Sequence, residues 1–333
     1  MKTFTRDYRI TGEYPHQFAR YFGSMRPCVF DIESTGLDPA RSKVCLTAML
    51  TRTDTGVRIT QFLAENHYEE NRVLEATLDF FRAEGTDYLI TFNGQAFDVP
   101  FFNKRLESTF TEGHLSMYNF DLYRLLNKGS DLRSHLSSLS QMSIENYYGI
   151  FSDRQDTITG RESIALFDEY SMTGNTTVEK IILTHNREDV LQLHRLMYLA
   201  LNDIEDFDDA IAKLGFPVLG GKYTVRPHLS RSKSLLRITG DQCARPVSAA
   251  FFPDMDDPLT IVFNAATSSY EIDAPAARLG IDYYIYSEKL GIDLSEDPDC
   301  VNGYLILGPR TINLIASLIV SMADERLLHA SDI

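Results

Sequence analysis

The sequence predicts an α/β layered fold followed by a smaller C-terminal α+β part, on three observations. From about residue 27 to 200, strand-like and helix-like segments alternate, as in a sheet covered by helices. Past about residue 215 the segments become short and β-like, starting around Gly220-Gly221, until a last apolar helix. The composition, 44% hydrophobic and 24% charged over 333 residues, supplies core enough for two domains.

Taken in order, VFDIEST (29–35) reads as a strand and Ser34 to Pro39 as the turn after it. VCLTAMLTR and VRITQFLA flank Thr53-Asp54-Thr55-Gly56 as a hairpin. In EENRVLEATLDFFRAEG, Val73, Leu74, Leu78 and Phe81 recur at helical intervals, with Gly85 as C-cap. YLITFNG is a β-rich run ending in Asn93-Gly94, and DVPFFNKRLEST takes up helical spacing. TTVEKIILTHNREDVLQLHRLMYLAL predicts one long amphipathic helix, with a Thr176/Glu179 capping box and Ile181, Ile182, Val190, Leu193 and Leu196 toward the core. The acidic NDIEDFDDA precedes the change of character. Beyond it KYTVRPHL, SLLRITG, LTIVFNA, SYEIDA, DYYIYSE and GYLIL predict one small antiparallel sheet, closed by a helix from about Ile312 to Leu328. The expected parts are an N-terminal extension, 1–26, packing on a domain of 27–202, and a C-terminal domain of 203–333.

A net charge of -15 and a pI near 5.0 argue against coating nucleic acid or a membrane through the overall field, so any such contact is expected to be local. Cys28, Cys45, Cys243 and Cys300 are far apart with no CxxC pairing, which fits a reducing, cytoplasmic setting without a zinc knuckle or disulfide framework. No apolar run reaches the roughly 18 residues that span a bilayer, and no signal peptide is expected at the start.

In VFDIEST, Asp31 and Glu33 share one face of the strand while Phe30 and Ile32 take the other. Two carboxylates so close repel, and persist cheaply only if exposed, protonated or bridged by a cation. Alone, the pair reads equally well as a strand end reaching solvent. Asp98 opens the helix after Asn93-Gly94, where an N-cap would explain it. Asp189 falls on or near the inward stripe of the long helix, with His185 one turn earlier on the same face, whereas Arg187 and Glu188 fall away from it. His185 with Asp189 reads as a structural pair, or as a general base beside a metal ligand. Four carboxylates in this order suit Mg²⁺ or Mn²⁺, two of which can clamp a phosphodiester.

DIESTGL, FNGQAFD and HNREDV resemble the three motifs of the DEDD superfamily of 3'-5' exonucleases, which have a ribonuclease H-like mixed sheet flanked by helices. The chain is most similar there to the YprB-type ribonuclease H-like family, whose NFDLYRLL and GRESIALFDEY regions it also resembles, over residues 27 to 200. The resemblance implies that Asp31, Glu33, Asp98 and Asp189 hold two Mg²⁺ or Mn²⁺ ions, and that the substrate is DNA or RNA with a single-stranded 3' end. One departure stands out. The superfamily carries a tyrosine four residues before the last aspartate or a histidine five before it, and His185 occupies the four-residue position. That is about 100° of helix rotation, yet His185 stays on the ligand face with a pKa suited to a base.

Around the acids, Thr35, Gly36, Leu37 and Asn93 are candidate substrate contacts, with plain turns as the other explanation, and Asp121 orients the site or caps a helix. Lys222, Arg226, Arg231, Lys233 and Arg237, with Tyr223 and His228 between them, form a strip free of acids that can hold a nucleic-acid backbone or be a solvated loop. Asp254, Asp256 and Asp257 read as solvated. The function expected is a metal-dependent 3'-5' exonuclease; the alternative is a nucleic-acid-binding or scaffolding protein with weak or no catalysis.

Overall fold

The computed structural model describes residues 1–10, 12–156, 158–255 and 257–331, and the chain divides into two compact units, Met1–Glu205 and Asp206–Ile333. In the first, β1 (Lys2–Tyr8) and α1 (His16–Phe22) precede β2 (Pro27–Ser34), β3 (Val44–Thr53) and β4 (Gly56–Leu63). There follow α2 (Glu70–Glu84), β5 (Tyr88–Thr91), α3 (Asp98–Thr109), β6 (Tyr118–Asp121) and α4 (Leu122–Gly129). The short helices α5 (Leu132–His135) and α6 (Gln141–Tyr147) lead to α7 (Gly160–Thr173) and α8 (Thr176–Ala200). The strands form one mixed sheet in the order β1-β4-β3-β2-β5-β6, antiparallel from β1 to β2 and parallel from β2 to β6.

The alternation in β2 does what its sequence predicts. Phe30 packs edge-on against Phe81 of α2 and Phe102 of α3, while Asp31, on the other face, meets α8. The hairpin and α2 form as expected, with Gly85 left-handed at φ 60°. β1 was not legible: KTFTRDY is mostly polar, and its partner β4 lies some fifty residues away. Three expectations for α8 are corrected. Its N-cap is Asn175, whose side chain accepts from the Thr177 amide at 2.9 Å, while Glu179 accepts from Tyr170 and Lys2. Ile181 points to solvent, one 100° step from the core-facing Ile182. Arg187 and Glu188 are buried, because the 151–156 segment covers a second side of the helix; Arg187 bonds Gln155 across it. Among the described residues no helix is long and apolar enough to cross a membrane, and all four cysteines are free.

Near the end of α8, His194 is only 1% exposed and lies between the hydroxyls of Tyr198 (3.0 Å) and Tyr14 (3.4 Å). Burial, with Arg52 and Arg195 nearby, lowers its pKa to about 3. Above pH about 6.5 the imidazole is neutral folded and unfolded; below it only the unfolded chain takes up the proton, so stability is lost as pH falls. Between pH 7 and 5 this amounts to about 2 kcal/mol, or roughly 4–8 °C in melting temperature. His194→Gln is predicted to flatten that part of the pH dependence of the thermal midpoint. Equal slopes in the two proteins would reject the assignment.

In the second unit α9 (Phe207–Leu214) leads to β7 (Phe216–Val218), β8 (Tyr223–Ser230), β9 (Leu235–Asp241), β10 (Ala249–Phe251), β11 (Thr260–Asn264) and β12 (Ser269–Pro275). Next come β13 (Ala277–Leu279), β14 (Asp282–Tyr286), β15 (Cys300–Val301), β16 (Tyr304–Ile306) and α10 (Pro309–Ser331). The one expected sheet is two: β10-β11-β12-β9-β8-β7 and β13-β14-β16-β15, with the chain passing from one to the other at Ala276, between β12 and β13. Helix α10 is buried as predicted, through Ile315, Ala316, Ile319, Val320 and Ala323.

The basic strip does not survive as one surface. Lys222 pairs with Asp324, Arg226 with Asp241 and Arg237 with Asp273, and Tyr223 is buried with its hydroxyl on Asp324, closed to base stacking. Only His228, Arg231 and Lys233 of the strip lie exposed. Asp257 is not merely solvated, since it pairs with Arg326; Asp254 turns back on the Asp257 amide, and Asp256 lies outside the described residues.

Candidate metal centre

The site forms where the two halves of the sheet part. β2 pairs with β5 only over Pro27–Val29, so its later edge is open there. The Asp98 carboxylate fills that edge, accepting from the Ile32 amide at 3.2 Å. Asp98 is the first residue of α3 and makes no cap for it; Phe97 stands at the N-cap position. Asp121 sets the approach. It caps α4 and also accepts from the Asn93 and Gln95 amides at 2.9 and 3.1 Å, pinning the turn in which Asn93 takes φ 60°. Regular pairing of β2 with β3 breaks just after Glu33, at a bulge.

Asp31, Glu33, Asp98, His185 and Asp189 line one cleft of about 720 Å³, with Leu37, Phe92 and Asn93 among its walls. Leu37 is 79% exposed at its mouth. Thr35 and Gly36 are not part of the lining. Thr35 accepts from the Lys43 amide, and a Cβ on Gly36 would meet the Ser42 hydroxyl at 2.5 Å, so turn packing explains both. A chain of amides holds Asp31: Gln61 of β4 donates to Asn186 Oδ1 at 2.9 Å, and Asn186 Nδ2 donates to Asp31 Oδ2 at 2.8 Å.

The acids are electrostatically strained. Burial and then repulsion from Asp98, Asp189 and Glu33 push the Asp31 carboxyl well above its usual range. Burial raises Glu33 to about 7 against the pull of His185, and raises Asp98 to about 7 against the amide bonds it accepts. For His185 burial acts downward, but the bond to Asp156 and the charges of Asp189 and Glu33 outweigh it and raise the imidazole to about 9. His185 Nε2 lies 3.6 Å from Glu33 and 3.7 Å from Asp189, and these three residues offer donor atoms within 4.8 Å of one another. Such a set fits a divalent cation: hard carboxylate oxygens, one imidazole nitrogen, and excess negative charge for a cation to offset.

A model of the RNase_H superfamily matches residues 28–201, the stretch that builds this sheet and cleft. The chain belongs to that superfamily. Its fold, a mixed sheet flanked by helices with a further sheet-rich part after it, agrees with that membership. No curated protein matches the sequence. Among solved structures, the family B DNA polymerase from the hyperthermophilic archaeon Pyrobaculum calidifontis is similar at 20% identity and a TM-score of 0.44, covering 53% of this chain. The similar part spans 24% of the polymerase's length.

In this RNase_H-superfamily chain the sequence reading missed a second layer around the acids. Arg154 donates to Asp189 at 2.5 Å, to Glu145 at 2.9 and 3.2 Å, and to Asp156 at 3.1 Å, and its side chain is only 2% exposed. Asp156 in turn receives His185 Nδ1 at 2.7 Å. Gln141 joins α6 to the site through the Asp189 carbonyl and Glu145. The only signal was the RQD run at 154–156, a basic and an acidic residue two apart in a loop with no periodicity to rank them.

Proposed function

We propose that the protein is a metal-dependent nuclease of the DEDD 3'-5' exonuclease type, closest to the YprB-type family, with Asp31, Glu33, Asp98, His185 and Asp189 as its catalytic set. One observation carries the reading: acids from β2, α3 and α8 line a single cleft although their charges oppose it. Asp31, Glu33, Asp98 and Asp189 would hold two Mg²⁺ or Mn²⁺ ions. Bound there, divalent cations supply the charge that polarises a phosphodiester and acidifies an attacking water. The chain's own part is orientation. Asn186 and Gln61 fix Asp31, the Ile32 amide fixes Asp98, and Arg154 fixes Asp189, so little reorganisation is left for the chemical step. Leu37 and Asn93 stand where a terminal nucleotide would enter, and the substrate we infer is a single-stranded 3' end of DNA or RNA.

Matched 5'- and 3'-labelled DNA and RNA oligonucleotides test the reading. The expected result is a ladder of 3'-shortened products from the 5'-labelled strands with Mg²⁺ or Mn²⁺, absent in EDTA and in a folded Asp189→Ala variant. Binding without metal-dependent shortening would favour the scaffolding alternative, and cleavage that persists in Asp189→Ala would overturn the assigned site.

A further inference from the structure

His185 has two nitrogens in different employment. Nδ1 lies 2.7 Å from Asp156 Oδ2, and the other Asp156 oxygen accepts from Arg154 Nε at 3.1 Å. Asp156 bonded in this way can only accept from the imidazole, so Nδ1 carries a proton and, in the neutral ring, Nε2 presents a lone pair. Nε2 faces the cleft from a side chain 6% exposed as a residue, and makes no hydrogen bond among the described residues. Instead it sits 3.6 Å from Glu33 Oε1 and 3.7 Å from Asp189 Oδ2. A divalent cation placed between them would make Nε2 and the two carboxylate oxygens, which lie within 4.8 Å of one another, three donors to one ion.

We propose that His185 is itself a metal ligand, binding a divalent cation through Nε2 together with Glu33 and Asp189, rather than the proton acceptor its place beside the acids suggests. Donors sharing one ion through bonds of about 2.1 Å lie roughly 3 to 4.2 Å apart, and both Nε2 separations fall in that range. The four-residue spacing from Asp189 puts the ring at ligand distance, one turn along the same face. Asp156 supplies the carboxylate that ligating histidines use to fix tautomer and ring plane. An imidazole among the donors shifts preference away from Mg²⁺ toward Mn²⁺ and later divalent ions.

The inference rests on the proposed reading for the presence of divalent cations, and Mn²⁺ alone tests it. Mn²⁺ titrated into the full chain, followed by calorimetry and pulsed electron paramagnetic resonance, is expected to show the nitrogen coupling of a ligated imidazole. The coupling should change isotope signature when the protein is labelled with ¹⁵N-histidine, a test that needs no variant. His185→Gln is expected to abolish it, and Asp156→Asn, which keeps the histidine, to weaken Mn²⁺ binding by about 10–100-fold. Bound Mn²⁺ without nitrogen coupling, or coupling retained in His185→Gln, would overturn the ligand role and leave the nuclease reading standing. Coupling in a protein that cleaves no oligonucleotide would uphold the ligand role while the nuclease reading fell. No Mn²⁺ binding at all would overturn both.

Discussion

Asp31→Asn is expected to make the protein more stable and inactive at once. In EDTA at pH 7.5 the acids repel with no cation between them. A carboxyl whose folded pKa is raised contributes its full stability below the unfolded value near 3.8 and loses it as pH rises through the folded value. Asp31 is raised by burial and by its three acidic neighbours, so ionising it at neutral pH costs stability that the amide does not lose. The new amide can turn its oxygen toward Asn186 Nδ2, which donates to Asp31, so that bond can be kept. The relief of charge sets the sign, and the variant is expected to melt higher than the wild type in EDTA. With Mn²⁺ the order reverses: the wild type gains stability by ligand linkage and the variant gains less. Cleavage should fall by roughly 10³-fold, the equivalent of several kcal/mol of lost Lewis-acid stabilisation. Thermal melts with and without Mn²⁺, beside the labelled-oligonucleotide assay, measure all three. A lower melting temperature for Asp31→Asn in EDTA would refute the strained-cluster account.

The second large effect belongs to Arg154. Its guanidinium is shared by Glu145, Asp156 and Asp189, and both it and Glu145 are almost wholly enclosed. Arg154→Met keeps the bulk and leaves three carboxylates without their cation. Breaking a buried pair from one side costs about 3–5 kcal/mol, or roughly 6–20 °C at this size. Adding Glu145→Gln to the same variant should recover part of the loss, because the two residues share one network and their effects are not additive. A melting temperature for Arg154→Met within a degree of the wild type would show that the network carries no net stability.

How much of this was readable beforehand follows from where the information sits. Asp31 and Glu33 stood out because strand alternation makes a same-face pair anomalous in an apolar run, and His185 and Asp189 because helix periodicity fixes their faces. Asp98 was found by the turn before it, but its bond to the Ile32 amide depends on where β5 leaves β2, which no local pattern records. Arg154 and Asp156 sit in a loop, where neither period applies. The burial of Arg187 and Glu188 arises from that same loop covering α8 a second time. The basic strip misled for a related reason: Lys222 finds Asp324 about a hundred residues away, so a segment without acids is not a surface without them.

The N-terminal segment has a mechanical consequence. Lys2 of β1 is paired with Glu179 near the start of α8, and Tyr14, just before α1, stacks on Tyr198 and reaches His194 near its end. His185 and Asp189 lie between these two anchorages. The helix is thus a beam pinned at both supports by the first few residues of the chain, with the site at mid-span.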